Sequence, residues 1–366
     1  MVMGSTMPVT PWSRPILQLD ESLGSKKDLV RIRDNFSAIV LRGDNLWLGG
    51  DEGTQIDRMT RDGVGNFGQH RRFDLGKLVT LPIVASKPSE IDIEGLDFDS
   101  GYLWVVGSHS RKRKKAEDDK TPVENRKRLA TIEPEGNRYV LARVPLDATS
   151  EPATQSDSLR AARLDGDDKG DLLTRALSVD PHVGPFCQIP SKDNGLDVEG
   201  LAVRGDRAFL GLRGPVVRGW ALVLELELQD STPGTLVLAK PLRKHFLQLE
   251  GLGVRELAIH GKDLYILAGP TMDLDGPVFV YRWPDALDNA TEALMPREAL
   301  QKVLAVPYGT GKDAGRDHGE GIALMEREGF APRVMVCYDS PAEARLVGGG
   351  GIRADVFDLD DNDIDS

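Results

Sequence analysis

A short pattern recurs along this chain at intervals of tens of residues. In its clearest copies, at residues 92–96 and 197–201, an acidic residue is followed two positions later by Glu, then by Gly and Leu, and a second apolar run comes soon after. Looser copies begin at Val254 and His318, and a fifth at Asn35 keeps the apolar runs but lacks the Glu. Repetition of strand-like units at such a spacing is the sequence signature of a β-propeller. The pattern therefore predicts an all-β propeller, with five blades favoured.

The ends of the repeat predict how the ring closes. A blade normally has four strands, but the last copy reaches only three, with residues 352–359 as the third. An apolar segment at residues 14–19 precedes the first copy. We expect this N-terminal strand to complete the last blade, which closes the ring and removes an exposed sheet edge.

One long interval interrupts the repeat, between the copies that contain Glu94 and Glu199. Two insertions explain it, a charged one at 111–128 and a leucine-containing, partly helical one at 150–185. A sixth blade is the alternative. The acidic segment 355–366 is predicted to be a disordered tail. We expect all 366 residues to form a single propeller domain, because closed all-β architectures of this length routinely stay in one domain.

Charge and cysteine content narrow the setting in which the chain works. The formal net charge of −12 argues against general binding to nucleic acid, whose phosphates would be repelled. Cys187 and Cys337 are too few for a disulfide framework, so a reducing cytoplasm is expected. The first 17 residues contain three prolines and no apolar core of seven or more residues, so neither a signal peptide nor a membrane span is predicted.

The repeat also predicts a functional face. In a propeller, the entry to each innermost strand and the exit of the next strand lie on one side, so these residues surround one mouth of the central channel. The glutamates predicted at this mouth are Glu94, Glu199, Glu256 and Glu320. The side chains expected to join them from the ends of the second strands are Asp51, Glu52, His109, Arg213, Asp273, Asp275 and Asp339.

Several carboxylates at one small opening repel one another, and a hard cation is the usual compensation. Oxygen ligands without cysteine suit Ca²⁺, which is favoured here, as well as Mg²⁺ and Mn²⁺. His109 or His318 would also admit Zn²⁺ or Mn²⁺. In the alternative interpretation, each Glu accepts hydrogen bonds from backbone N–H groups of a neighbouring blade and pins the ring together.

Basic and polar loops leave the same face and predict an anionic ligand. The basic stretch 111–115 includes Arg111 and Lys112, and a local excess of positive charge on an acidic protein attracts phosphate or carboxylate groups. A solvated loop is the alternative. The other residues predicted to bind this ligand, on loops that turn chemistry alone could also explain, are Arg218, Thr271 and Asp273.

The sequence contains no nucleophile elbow, Walker loop or dinucleotide fingerprint, which leaves two hypotheses. The first is a propeller that binds a divalent cation and an anionic small molecule and hydrolyses an ester or phosphoester. The glutamates would bind the cation or act as base, and His109 and Arg213 would stabilise developing negative charge. The second is a non-catalytic platform that binds a protein partner or senses a ligand, with residues 111–115 as its contact.

Six stretches carry a resemblance to a known family: residues 46–53, 92–96, 107–115, 193–206, 211–215 and 269–276. They resemble an uncharacterised bacterial family, the domain of unknown function numbered 3616. More distantly, the Glu-Gly pairs of the inner strands are similar to those of calcium-dependent gluconolactonase-like and phytase-like propellers. That resemblance implies that such a Glu can bind a metal ion, and it adds to the expectation of Ca²⁺.

Overall fold

The computed structural model describes residues 9–83, 90–308, 315–359 and 364, and its architecture is a set of antiparallel sheets around a channel. Sheet 1 consists of Phe36–Arg42, Asn45–Gly50, Gln55–Arg61 and Phe67–Asp74, and sheet 2 of Ile93–Asp99, Tyr102–Gly107, Leu141–Pro145 and Ala162–Leu164. Sheet 3 consists of Asp197–Arg204, Arg207–Val217, Trp220–Asp230 and Arg243–Leu247. Sheet 4 consists of Gly253–His260, Asp263–Gly269, Val278–Trp283 and Gln301–Val306, and sheet 5 of His318–Met325, Arg333–Asp339 and Asp355–Asp358.

The first strand of each sheet is its inner strand, and these inner strands contact one another in a closed cycle, from sheet 1 through sheet 5 and back to sheet 1. A separate cluster of buried apolar side chains fills the space between each neighbouring pair of sheets. Side chains alternate between the two faces of a strand, so each sheet contributes to two clusters. The predicted all-β propeller is confirmed.

The N-terminal segment links the last sheet to the first. Ile16–Gln18 pairs antiparallel with the strand Gly351–Arg353, and its Leu17 also pairs with Phe67 of sheet 1. Ser13 forms a bridge to Val356 in sheet 5. The ring is therefore closed by N-terminal residues, as predicted.

The predicted acidic tail begins too early. Asp355–Asp358 is the third strand of sheet 5 and pairs with Arg333–Asp339, because Val356 and Phe357 are buried in the two adjoining cores. Residues 360–363 and 365–366 of the tail lie outside the described residues.

The long interval between Glu94 and Glu199 contains two insertions. In the first, the strands Arg111–Arg113 and Ile132–Pro134 pair and flank helix Pro122–Leu129. The second, predicted at 150–185, is interrupted by Ala162–Leu164, which pairs with Leu141–Pro145 as the fourth strand of sheet 2. Before that strand lies the pair Gln155–Ser156 with Leu159–Arg160, and after it lie the pair Gly166–Asp167 with Gly170–Asp171 and the helix Leu172–Ser178. The remaining helix is Lys26–Arg33, and the remaining short strands are Thr235–Leu238, Leu294–Met295 and Leu346–Val347.

None of the helices in the described ranges is both long enough and apolar enough to cross a lipid bilayer.

Candidate functional site

Each inner strand has a β-bulge where it enters the channel from the mouth. The pairing register with the second strand shifts at the same point in every sheet, so that one residue is left unpaired. A bulge re-aims the side chain of the extra residue. The bulged residues of sheets 1 to 5 are, in order, Ser37, Glu94, Glu199, Arg255 and Glu320.

The residue after the bulge lies where neighbouring inner strands approach most closely. In sheet 2 it is Gly95, where a Cβ atom would lie 2.6 Å from Cβ of Leu201. In sheet 3 it is Gly200, where a Cβ atom would lie 2.9 Å from the backbone nitrogen of Leu257. The Glu-Gly pair of the repeat therefore combines a side chain aimed at the mouth with a position that has no room for one.

Sheet 4 departs from this arrangement, and the predicted role of Glu256 is wrong. Arg255 occupies the bulge, and Glu256 takes the position that is glycine in sheets 2, 3 and 5. Glu256 is fully buried, and its Oε1 accepts hydrogen bonds from the N–H groups of Leu201, at 3.2 Å, and Leu257, at 3.0 Å. Burial raises the pKa of this carboxyl well above its usual value. Glu256 pins sheets 3 and 4 together, which is the alternative interpretation of the glutamates.

Two arginines neutralise the carboxylates of sheets 3 and 5. Arg213 lies 2.6 Å from Asp197 and 2.7 Å from Glu199, and Arg255 pairs with Glu320 and lies 3.9 Å from Glu199. Burial raises the pKa of Glu199 to about 8, although both arginines oppose this effect. Arg213, predicted to stabilise negative charge on a substrate, is committed to two carboxylates of the protein itself.

A different set of carboxylates lacks this neutralisation. Asp51, at the exit of sheet 1, and Asp92 and Glu94, at the entry of sheet 2, each place one oxygen within 4.8 Å of the other two. We call these three residues the acidic triad. Asp92 pairs with Arg138 at 2.7 Å, whereas no basic side chain in the described part of the chain forms an ion pair with Asp51 or Glu94.

The titration behaviour of the triad reflects this crowding. Burial and then the charges of Asp92 and Asp51 raise the pKa of Glu94 well above its usual value. Asp51 remains accessible from the channel opening, but desolvation by the surrounding protein, with the charges of Asp92, Asp339 and Glu320, raises its pKa to about 7. Three oxygen ligands without cysteine or histidine fit a hard divalent cation such as Ca²⁺.

Of the four predicted metal ligands, only Glu94 belongs to the triad. Glu199 and Glu320 are instead paired with arginine, and Glu256 is buried against backbone N–H groups. Asp92 was overlooked as a ligand, although the acidic residue two positions before Glu is present in both clear copies of the repeat. The roles of Arg138 and Arg255 gave no sequence signal beyond their charge.

His109, the other predicted catalytic residue, lies away from free solvent. Its ring is buried, its Nδ1 is 2.8 Å from the carbonyl oxygen of Gly107, and its Nε2 is 2.8 Å from Asp171 Oδ2. Burial alone would lower the pKa of His109, but the charge and hydrogen bond of Asp171 raise it. Asp171 caps helix Leu172–Ser178, so His109 fastens the second insertion to sheet 2 and has no ring nitrogen free for chemistry.

The predicted ligand-binding residues are distributed over two edges of the mouth. Arg111 and Lys112 lie on the first insertion, where Lys112 is 3.6 Å from Glu90. Arg218 lies at the exposed turn between Val217 and Trp220, and its conformation has a positive φ of 52°. Arg218 is thus exposed, whereas Arg213 is buried against Asp197 and Glu199.

The second edge carries Thr271 and Asp273. The hydroxyl of Thr271 lies 3.4 Å from Asn194 Oδ1, and exposed Asp273 lies 3.9 Å from Lys192 Nζ. The charge of Lys192 lowers the pKa of both Asp51 and Asp197, opposing the larger effect of burial, so this ammonium group stands near the mouth. Lys192 is not among the residues predicted from the sequence to lie at the mouth.

Comparison with solved structures gives distant likenesses. The xylan β-1,4-xylosidase of Bacillus halodurans C-125 is 11% identical, with a TM-score of 0.43, over 89% of this chain and 53% of that chain. The Bacteroides ovatus protein GH43B from a xyloglucan locus is 11% identical, with a TM-score of 0.42, over 93% and 53%. The glutaminyl cyclase of Myxococcus xanthus is 11% identical, with a TM-score of 0.39, over 96% and 100%.

This chain spans about half the length of the xylosidase and of the Bacteroides ovatus protein. With TM-scores below 0.5, these likenesses say nothing about the activity of this chain. No curated protein matches its sequence. One family model does match, over residues 35–355, and the chain therefore belongs to the family described as protein of unknown function, DUF3616.

Proposed function

We propose that the acidic triad binds a divalent cation, with Ca²⁺ favoured, and that this cation holds an anionic small molecule at the mouth of the propeller. One observation carries the proposal: Asp51, Asp92 and Glu94 bring their oxygens within 4.8 Å of one another, while Asp51 and Glu94 lack a basic partner among the described residues. Two like charges at this distance disfavour each other's ionisation, and a cation would relieve that repulsion.

Positive groups around the triad support an anionic ligand. Lys192 stands near Asp51 and Asp197, and Lys112 reaches Glu90, two positions before Asp92. Both ammonium groups are about half exposed, which leaves them free to reach a ligand. Phosphate and carboxylate groups are the anions that such lysines bind together with a hard cation.

The same arrangement suits hydrolysis of an ester or phosphoester. A bound divalent cation supplies Lewis acidity that polarises the carbonyl or phosphoryl oxygen. Asp339 stands beside the triad without belonging to it, and burial followed by the charge of Glu320 raises its pKa. A carboxyl with a raised pKa is suited to act as general base near neutral pH, so we assign to Asp339 the removal of a proton from attacking water.

The first test is calorimetric titration of the chelator-treated protein with Ca²⁺, Mg²⁺ and Mn²⁺. We expect one site per chain in the unaltered protein and loss of binding in the variant with Asp51→Asn and Glu94→Gln. Glu326→Gln is the matched control, because this exposed carboxylate lies in the turn opposite the mouth. Equal cation affinity in the double variant and the control would overturn the proposal.

The second test addresses chemistry. Hydrolysis of p-nitrophenyl phosphate and of a simple lactone would be measured with the preferred cation. Asp339→Asn should lower kcat while cation affinity stays unchanged. If the protein binds the cation but hydrolyses neither the phosphoester nor the lactone, the hydrolase part of the proposal fails and a cation-dependent binding protein remains.

A non-catalytic platform is the second candidate, and the first insertion favours it. Helix Pro122–Leu129 buries none of its residues, and Val123 is 68% and Leu129 47% exposed. Three basic residues occupy its last turn. This candidate predicts a folded protein without cation affinity and a partner that no longer binds when Arg126 and Lys127 are replaced by Glu.

We also propose that the protein works in a reducing compartment, the cytoplasm. Cys187 is partly exposed and Cys337 is buried, and both are free thiols. Fractionation of cells that express the protein with a fluorescent tag would test this location. Recovery of the tagged protein outside the cytoplasmic fraction would contradict it.

A further inference from the structure

A cavity of about 320 Å³ lies beside the acidic triad, between sheet 1 and helix Lys26–Arg33. We call it the side pocket. Its lining includes Gly50 and Glu52, the two residues that flank Asp51, and also Glu90, which precedes Asp92 by two positions. A ligand held at the triad can therefore extend into the side pocket.

The side pocket contains a buried carboxylate with one oxygen available. Asp57 is only 5% exposed, and its Oδ1 receives both contacts that hold it, from His70 Nε2 at 2.5 Å and from Arg72 Nε at 2.9 Å. The Nδ1 atom of His70 accepts a hydrogen bond from the backbone N–H of Asp20, so Nε2 carries the proton and donates to Asp57. No donor in the described part of the chain reaches Oδ2 of Asp57.

The charge of the side pocket is negative. Its lining has two arginines, and each is paired with a carboxylate of the same lining: Arg31 with Glu52 and Arg72 with Asp57. Of the two further carboxylates of the lining, Glu90 lies 3.6 Å from Lys112 and 3.9 Å from Arg138, and Asp28 has no basic partner among the described residues, so one carboxylate remains in excess. An unpaired acceptor in a net negative cavity favours a group that is cationic and donates hydrogen bonds.

The walls and the depth of the side pocket limit the rest of the ligand. Ile32 and Phe36 supply apolar wall, which suits a short methylene chain. Asp57 pairs with Leu48 in the neighbouring strand, and Asp51 lies three residues beyond Leu48 towards the mouth. At the rise of a β-strand, Asp57 and Asp51 are therefore about 10 Å apart along the strand direction.

We infer that the side pocket binds the ammonium end of a zwitterionic small molecule whose anionic end is held at the acidic triad. The assignment of the anionic end rests on the proposed function. Asp57 accepts a hydrogen bond from the ammonium group, and the methylene chain lies along Ile32 and Phe36. The ligand class is therefore an ω-amino acid or a related amino phosphate with a short methylene chain between its charged groups.

The test compares 6-aminohexanoate with hexanoate, which differ only in the ammonium group, by calorimetry in saturating Ca²⁺. We expect 6-aminohexanoate to bind the unaltered protein at least about tenfold more tightly, as one charge-assisted hydrogen bond allows. Asp57→Asn should abolish the difference. Because this buried substitution can also disturb folding, Asn35→Lys serves as a second variant, which places a tethered ammonium on the partly exposed wall of the pocket.

Equal affinity for the two acids in the unaltered protein, or an unchanged preference in folded Asn35→Lys protein, would overturn the inference. Hexylamine in the presence of chelator separates this result from failure of the proposed function. Binding of hexylamine that Asn35→Lys removes would show that the side pocket recognises an ammonium group. If, in the same protein, Ca²⁺ neither binds nor strengthens binding of 6-aminohexanoate, then the proposed function fails while the side pocket remains a cation-recognition site.

Discussion

Arg255 and Glu199 occupy the same bulge position in neighbouring inner strands, and Nη1 of Arg255 lies 3.9 Å from Oε2 of Glu199. The repeat supplies Glu at this position in sheets 2, 3 and 5, so the arginine of sheet 4 breaks the series. Together with Arg213 it supplies positive charge to the side of the mouth formed by sheets 3 to 5. Neither arginine pairs with Asp51 of sheet 1 or Glu94 of sheet 2, and there we propose the cation.

Replacing Arg255 with Gln should destabilise the protein strongly. Glu199 and Glu320 are largely buried and would lose their shared partner, and breaking a buried ion pair from one side costs about 3–5 kcal/mol in free energy of unfolding. Urea denaturation at pH 7 would measure the change. Arg327→Gln is the control, because its pair with exposed Asp358 is worth no more than about 1 kcal/mol. Equal effects of the two substitutions would contradict this account of the mouth.

Stability in the presence of a chelator should fall as the pH rises from about 4 to about 8. The pKa values of Asp97, Asp51 and Glu199 are raised to about 6, 7 and 8, with burial as the largest cause in each. The folded state therefore binds more protons than the unfolded state within this window, and the free energy of unfolding decreases with pH.

The measurement is Tm by calorimetry at several pH values with and without Ca²⁺. A bound cation favours ionised carboxylates, so Ca²⁺ should raise Tm most at pH 8. Asp51→Asn should flatten the upper part of the profile in chelator. A Tm that rises steadily from pH 5 to 8 without cation would contradict the prediction.

Glu256 should tolerate Gln but not Ala. Its raised pKa favours a neutral carboxyl, and Gln is neutral with nearly the same shape. Ala would leave the buried N–H groups of Leu201 and Leu257 without their acceptor, at a cost of about 1–3 kcal/mol each. Chemical denaturation of both variants would check this. Equal destabilisation by Gln and Ala would show that Glu256 is ionised in the folded protein.

The sequence was sufficient for the fold class and for the strands that line the channel, because period-2 alternation and the Glu-Gly repeat are local patterns. It was insufficient for register. The looser copy in sheet 4 places Glu256 in the series, but the bulge there falls one residue earlier, and a shift of one residue moves every side chain to the other face. Nor does a local pattern show that Asp51 of sheet 1 meets Glu94 of sheet 2, since that contact depends on how the sheets pack.

The same limitation applies to the contact between His109 and Asp171, because Asp171 lies in an insertion without a recognisable motif. His109→Ala should leave the carboxylate of Asp171 buried without its main partner, and removal of one member of such a pair costs about 3–5 kcal/mol. Because Asp171 also caps helix Leu172–Ser178 through Thr174, the loss should loosen the second insertion first. Limited proteolysis should then cut the variant within residues 150–185 faster than the unaltered protein, while Ca²⁺ affinity at the acidic triad stays the same. If instead His109→Ala resists protease normally but loses hydrolysis, His109 acts in the chemistry and its role as a fastening residue is wrong.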